Sequence, residues 1–325
     1  MPVYIKGNIE SGVFILFVHG GPGGNATLAS FIPVSQELEN DYAFAYWDQR
    51  ASGQSQGNPD PATFTVEQFV EDLDLVIDAI NLRHNEPKIV IYGISWGGAL
   101  GSAYLSTGKY QEKVSGFIIM DSGHNLLDGL PKSVVFVKDY AQEQIDNGVD
   151  SDYWSEVRDW CATEPDMTIP DNYFRYDEYL VNTNAYRWDP DQVVQGPEVG
   201  AAGTMSSYLS LAIFFNGRYL AERFNILELN LSPQMANIQI PTMVIWGRHD
   251  GVNTMEMGYD AYNSIGGPGF TNKEMVILEN SAHEGYIEEQ DLFMSAFRRF
   301  VNGLETQSPE SSELHFKHSG DFIHL

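Results

Sequence analysis

The chain has 325 residues, enough for one large domain or two small ones, and is 43% hydrophobic and 19% charged, the make-up of a soluble globular protein. Eighteen Lys and Arg stand against 45 Asp and Glu, a net charge of −27 that repels phosphate backbones and anionic membranes and argues against nucleic-acid or membrane partners. A lone cysteine, Cys161, excludes an internal disulfide framework and a cysteine-based zinc cluster.

Strand and helix signals alternate through the first third. Residues 13–18 are wholly apolar and run into His19 and a glycine-rich stretch, as a strand buried on both faces should read. A second strand is predicted over 42–47, stopping at Asp48. Thr65 with Gln68 three residues on forms a capping box, and Phe69, Leu73, Val76, Ile77 and Ile80 follow at helical spacing. A third strand covers 88–92, a sharp turn 93–98, a helix begins over 99–105, and a fourth strand spans 117–120. This rhythm predicts a mostly parallel sheet with helices on both faces. It stops at 124 and resumes after Pro241, with strands over 243–246 and 275–278 and a closing helix over 291–304. The expected organisation is therefore a core of residues 1–123 and 238–304, a helical insertion over 124–237 with patches such as 208–224, and a C-terminal extension over 305–325. No apolar run nears the roughly 18 residues of a membrane span. The start, MPVYIKGNIE, has none of the parts of a secretory signal, so a cytoplasmic location is expected.

Chemistry concentrates where strands end. Gly93-Ile94-Ser95-Trp96-Gly97-Gly98 lies between an apolar strand and a helix. A serine hydroxyl becomes a useful nucleophile when a tight strand-to-helix turn exposes it and a base holds it. His19-Gly20-Gly21-Pro22-Gly23-Gly24 follows the first apolar strand, and the backbone N–H groups of Gly21 and Trp96 are the expected oxyanion hole. The glycine loop lacks the spacing of a phosphate-binding loop. His283, just past the strand at 275–278, is the expected base, and Asp250, just past the strand at 243–246, the expected acid. The chain order Ser95, Asp250, His283 suits this arrangement. His249 is the rival base and Asp121, at the end of the fourth strand, the rival acid.

Taken with Asp48-Gln49-Arg50-Ala51-Ser52-Gly53-Gln54-Ser55 and Gly247-Arg248-His249-Asp250, these motifs resemble the prolyl iminopeptidase family. The resemblance implies an α/β-hydrolase fold with an inserted helical cap, a serine acyl-enzyme mechanism, and no metal or organic cofactor. It also implies a structural part for Asp48-Gln49-Arg50. The sequence departs from the family at Ala51, where glycine is usual, and starts late for the usual N-terminal hairpin. It also carries Phe215 where the family's cap has a glutamate that binds the substrate's amino end.

The expected partner is a small peptide or ester. An aminopeptidase, a carboxylesterase for small neutral esters and a silent binding protein on the same scaffold all remain open; an epoxide hydrolase or dehalogenase would want Asp at position 95. The insertion holds 18 Asp and Glu against 7 Lys and Arg, a field that concentrates cationic substrates. Glu222, about two helical turns beyond Phe215, is the expected amine-binding acid. Phe215 and Trp154 are expected to hold an apolar first side chain.

Overall fold

The computed structural model describes residues 1–55, 59–189 and 225–304. Seven strands form one sheet: β1 (Val3–Gly7), β2 (Val13–Val18), β3 (Ala43–Trp47), β4 (Lys88–Ile94), β5 (Gly116–Met120), β6 (Thr242–Gly247) and β7 (Lys273–Leu278). Their spatial order is β1-β3-β2-β4-β5-β6-β7. All neighbours run parallel except β1, which lies antiparallel along β3. The first residues form an edge strand. Five residues suffice because β1 pairs with β3, with Val3 opposite Trp47 and Gly7 opposite Ala43.

Ten α-helices are described: α1 (Ala26–Ala29), α2 (Pro33–Leu38), α3 (Val66–His84), α4 (Trp96–Ser106), α5 (Leu126–Asp146), α6 (Ser151–Cys161), α7 (Pro170–Leu180), α8 (Met255–Ser264), α9 (Gly285–Glu288) and α10 (Gln290–Gly303). The pleat decides which of them each strand residue meets. On β2, Phe14, Leu16 and Val18 join the core under α3, α4 and α8, whereas Val13, Ile15 and Phe17 face the core under α2 and α10. That double burial explains why β2 reads as an unbroken apolar run. The Thr65 side chain accepts the Gln68 N–H at 3.2 Å, while the Gln68 amide turns to Glu71, so the box at α3 closes from one side.

Between β5 and β6 the described chain is helical. Helices α5, α6 and α7 lean on the first of the two cores through Val134, Val137, Val157 and Tyr176, and we call this segment the cap. The helix predicted over 208–224 and the tail over 305–325 lie outside the described residues. No described helix is long and apolar enough to cross a membrane.

Candidate active site

Parallel strands deliver their following loops to one edge of a sheet, and there the sequence motifs meet. Ser95 sits between β4 and α4 with φ 55° and ψ −123°. From Ile89 to Ser106 every residue is buried except Ser95. The turn is held to the next strand, for Ser95 N–H donates to the Met120 carbonyl at 2.9 Å. Gly97 has to be glycine, since a Cβ there would stand 1.8 Å from the Val18 carbonyl oxygen.

The glycine loop after β2 presses against this turn. A Cβ on Gly20 would come within 3.6 Å of Ser95 Oγ. Gly21 follows, and its N–H makes no hydrogen bond among the described residues. His19, Gln49 and Trp96 lock loop to turn. Gln49 Nε2 donates to the His19 carbonyl at 2.9 Å, and Trp96 Nε1 donates to Gln49 Oε1 at 2.9 Å. His19 Nε2 accepts the Gln49 N–H at 3.2 Å, so the other nitrogen, Nδ1, donates to the Gly20 carbonyl at 2.7 Å. Burial holds the imidazole below its ordinary pKa and keeps it neutral. Asp48 gathers the N–H groups of Ala26, Thr27 and Gln54, and Arg50 forks onto Asp72 at 2.7 and 2.8 Å. The His19–Gln49–Trp96 linkage escaped the sequence reading, although both of its loops were visible as motifs.

His283 Nδ1 lies 2.8 Å from Asp250 Oδ2, and a carboxylate only accepts, so Nδ1 carries the hydrogen. Asp250 Oδ1 accepts the N–H groups of Val252 at 2.8 Å and Asn253 at 2.9 Å. Asp121, the rival acid, instead accepts the Gly247 N–H at 2.9 Å. Burial, then the charge of Asp250, pushes its carboxyl well above the usual range. His249, the rival base, points elsewhere: its ring stacks on Trp188 with centroids 3.6 Å apart.

Ser95, Trp96, Gly21 and His283 line one cavity of about 800 Å³ under the cap. Its walls are largely apolar, with Phe17, Leu28, Ile32 and Leu126 among them, and Tyr186 meets the His283 ring edge-on at 5.8 Å. Three carboxylates line it, Asp177 and Glu178 from around α7 and Glu284 beside His283, and no Lys or Arg appears among its described lining residues. Glu284 is paired with Arg187. Asp177 makes no side-chain hydrogen bond or ion pair among the described residues, and burial, then the neighbouring Glu178, raises its pKa.

The cap residues expected from sequence fare differently. Trp154 does not reach the cavity; it is buried within the cap, edge-on to Tyr140 and Tyr153. Its apolar helical spacing serves packing between α5 and α6. Glu222 and Phe215 lie outside the described residues. Cys161 is buried, and burial pushes its thiol up to about 11.

Asp121, Asp250 and His283 form the one group of three potential metal ligands found among the described residues, with ligand atoms within 4.8 Å of one another. Backbone N–H groups already occupy one oxygen of each carboxylate and the imidazole N–H another.

The mostly parallel seven-stranded sheet with helices on both faces is an α/β-hydrolase architecture. The sequence pattern of the α/β-hydrolase fold matches residues 13–290, and the chain belongs to that family. It is 24% identical over 303 residues to a proline iminopeptidase of Saccharolobus solfataricus, covering 89% of this chain and 84% of the relative. A probable aminopeptidase of Bacillus subtilis is 24% identical over 293 residues, covering 88% and 87%. Among solved structures, a proline iminopeptidase of Mycobacterium smegmatis superposes with TM-score 0.63 at 16% identity, covering 93% and 94%. A thermophilic esterase of Thermogutta terrifontis superposes with TM-score 0.55 at 20% identity, covering 94% of each chain.

Proposed function

We propose that the protein is a serine aminopeptidase, releasing the N-terminal residue of small peptides as a proline iminopeptidase does. Ser95 Oγ attacks the first peptide carbonyl while His283 Nε2 takes its proton and Asp250 stabilises the imidazolium. The N–H groups of Gly21 and Trp96 receive the oxyanion. His283 then protonates the leaving amine, and a water activated by the same nitrogen frees the N-terminal residue. Every group in this scheme belongs to the chain, the substrate or one water.

The observation that carries the reading is the company Asp177 keeps. A carboxylate with no side-chain partner among the described residues lines the cavity that holds Ser95, and Lys and Arg are absent from the described lining. A protonated amino terminus would supply the missing counter-charge within an apolar enclosure, where such a pair is strong. In this scheme Asp177 binds the amine, the part expected of Glu222, which lies outside the described residues. The apolar wall favours one alternative, a carboxylesterase for small neutral esters.

Rates on prolyl and alanyl arylamides, on their N-acetylated forms and on short p-nitrophenyl esters separate the two. The free amines should be preferred. Asp177→Asn should raise KM for them by about tenfold or more, as loss of a charge-assisted hydrogen bond does, and leave the esters unmoved. Because its pKa is raised, Asp177 loses its charge early on acidification. KM for free amines should therefore climb at a higher pH than an ordinary carboxylate would cause, and Asp177→Asn should abolish the climb. Equal turnover of free and acetylated substrates would make the protein an esterase.

A further inference from the structure

Beside the Asp250–His283 pair stands a second buried carboxyl with no assigned task. Asp121 follows β5 directly and is wholly buried. Its φ of 44° lies in the left-handed region, which a non-glycine residue enters only when its surroundings hold it there. Oδ1 accepts the Gly247 N–H at 2.9 Å, whereas Oδ2 is buried without a donor among the described residues. Asp121, Asp250 and His283 bring polar atoms within 4.8 Å of one another. Two carboxylates so close and so deep cannot both ionise, and one keeps a proton.

The hydrogen bonds decide which. Asp250 has three N–H donors, from Val252, Asn253 and the His283 ring, and is therefore the ion. Asp121 has one donor and an oxygen with none, and so holds the proton. We propose that Asp121 is a positioning residue of the relay, a neutral carboxylic acid whose Oδ2–H is offered to Asp250, leaving the pair a single negative charge to share with His283. The inference rests on the reading that Asp250 and His283 serve Ser95.

Other groups facing Asp121 do not compete for that part. Glu288 on α9 adds only negative charge, which disfavours ionisation further. Tyr92 on β4 is buried and Tyr286 on α9 partly so, and both are pushed above the ordinary phenol range chiefly by desolvation, so they stay neutral. Burial and the charge of Asp250 act on Asp121 in the same direction.

The test is a pH profile of kcat/KM on an uncharged p-nitrophenyl ester, with wild type, Asp121→Asn and Asp121→Ala. Asparagine keeps a neutral N–H donor, so the acid limb, which reports the base, should stay at the wild-type midpoint within error. Alanine removes the donor; kcat should fall about tenfold with KM unchanged, and the acid limb should move upward as Asp250 attracts the imidazolium more strongly. Were Asp121 ionised in the working enzyme, Asp121→Asn would remove a charge beside His283 and lower the acid limb by about one unit or more, overturning the proposal. Infrared spectra of the resting enzyme need neither turnover nor a folded variant. With labelled aspartate, a carboxylic-acid C=O band persisting through neutral pH supports the proposal, and carboxylate bands alone defeat it. This measurement stands even if the assignment of Ser95 as nucleophile fails, which loss or retention of activity in Ser95→Ala decides separately.

Discussion

One side chain breaks an otherwise sealed stretch of the core. Ser95 lines the cavity while its neighbours on β4 and α4 are buried, and its φ is positive. Ser95→Ala should therefore keep the fold and lose hydrolysis by about six powers of ten, the scale for removing such a nucleophile, and a fluorophosphonate should label Ser95 alone. Asp250→Asn should lower kcat by roughly 10⁴ by presenting the wrong imidazole tautomer. Asp121→Asn should cost far less, because Nδ1 of His283 already has Asp250. If the two variants exchanged effects, Asp121 would be the working acid. Residues such as Ser95, Asp250 and His283 were legible in sequence because each follows an apolar strand within a recognisable loop. Asp177 was not, since nothing within its own helix distinguishes it from the other cap acids; only the fold turns it inward.

At the scale of elements, the strands announced themselves through apolar runs and the helices through spacing, because both patterns are imposed by burial against the sheet. Strand β1 went unseen because an edge strand is only half buried and carries a polar lysine. The insertion over 124–237 was expected to be helical, but the bounds of α5 to α7 within it were not legible because the cap shares its burial between the core and its own interior. Two chain crossings attach the cap, and they are laced together. Leu127 N–H donates to Leu229 O at 3.1 Å and Leu231 N–H to His124 O at 2.9 Å. Asp260 on α8 pins both, accepting from His124 Nε2 at 2.9 Å and from Ser232 Oγ. Burial raises the Asp260 pKa, but the bonds from His124 and Ser232 outweigh it and bring it down to about 2. A depressed carboxylate stabilises the fold above its unfolded pKa and loses that contribution as pH falls toward the folded value. Discounted for its partial exposure, the effect is about 1 kcal/mol. Asp260→Asn should lower Tm by roughly 2 °C at neutral pH, with the gap to wild type closing as pH approaches 2. A gap independent of pH would remove the ionic part of that account.

For the whole molecule the dominant fact is charge. A net −27 on 325 residues makes like charges crowd one another as the chain compacts. Raising salt from about 0.01 M to about 0.15 M shortens the screening length from roughly 30 Å to 8 Å and should raise Tm; a fall would mean that attractive pairs such as Arg248–Glu279 outweigh the repulsion. The way the cap meets the loops carries a further consequence. The carbonyls of Ala185 and Tyr186 accept N–H groups from Gly251, His283 and Glu284, and Ser133 Oγ donates to the Gly251 carbonyl. The residue after Asp250, and His283 itself, therefore hang from the cap by main-chain hydrogen bonds. Under the proposed mechanism, specificity and catalytic geometry are then inherited as one unit. An engineer who grafts a lid from a cousin onto this sheet would transplant part of the reaction centre with it, and should find turnover disturbed along with preference unless the 185–186 segment travels back.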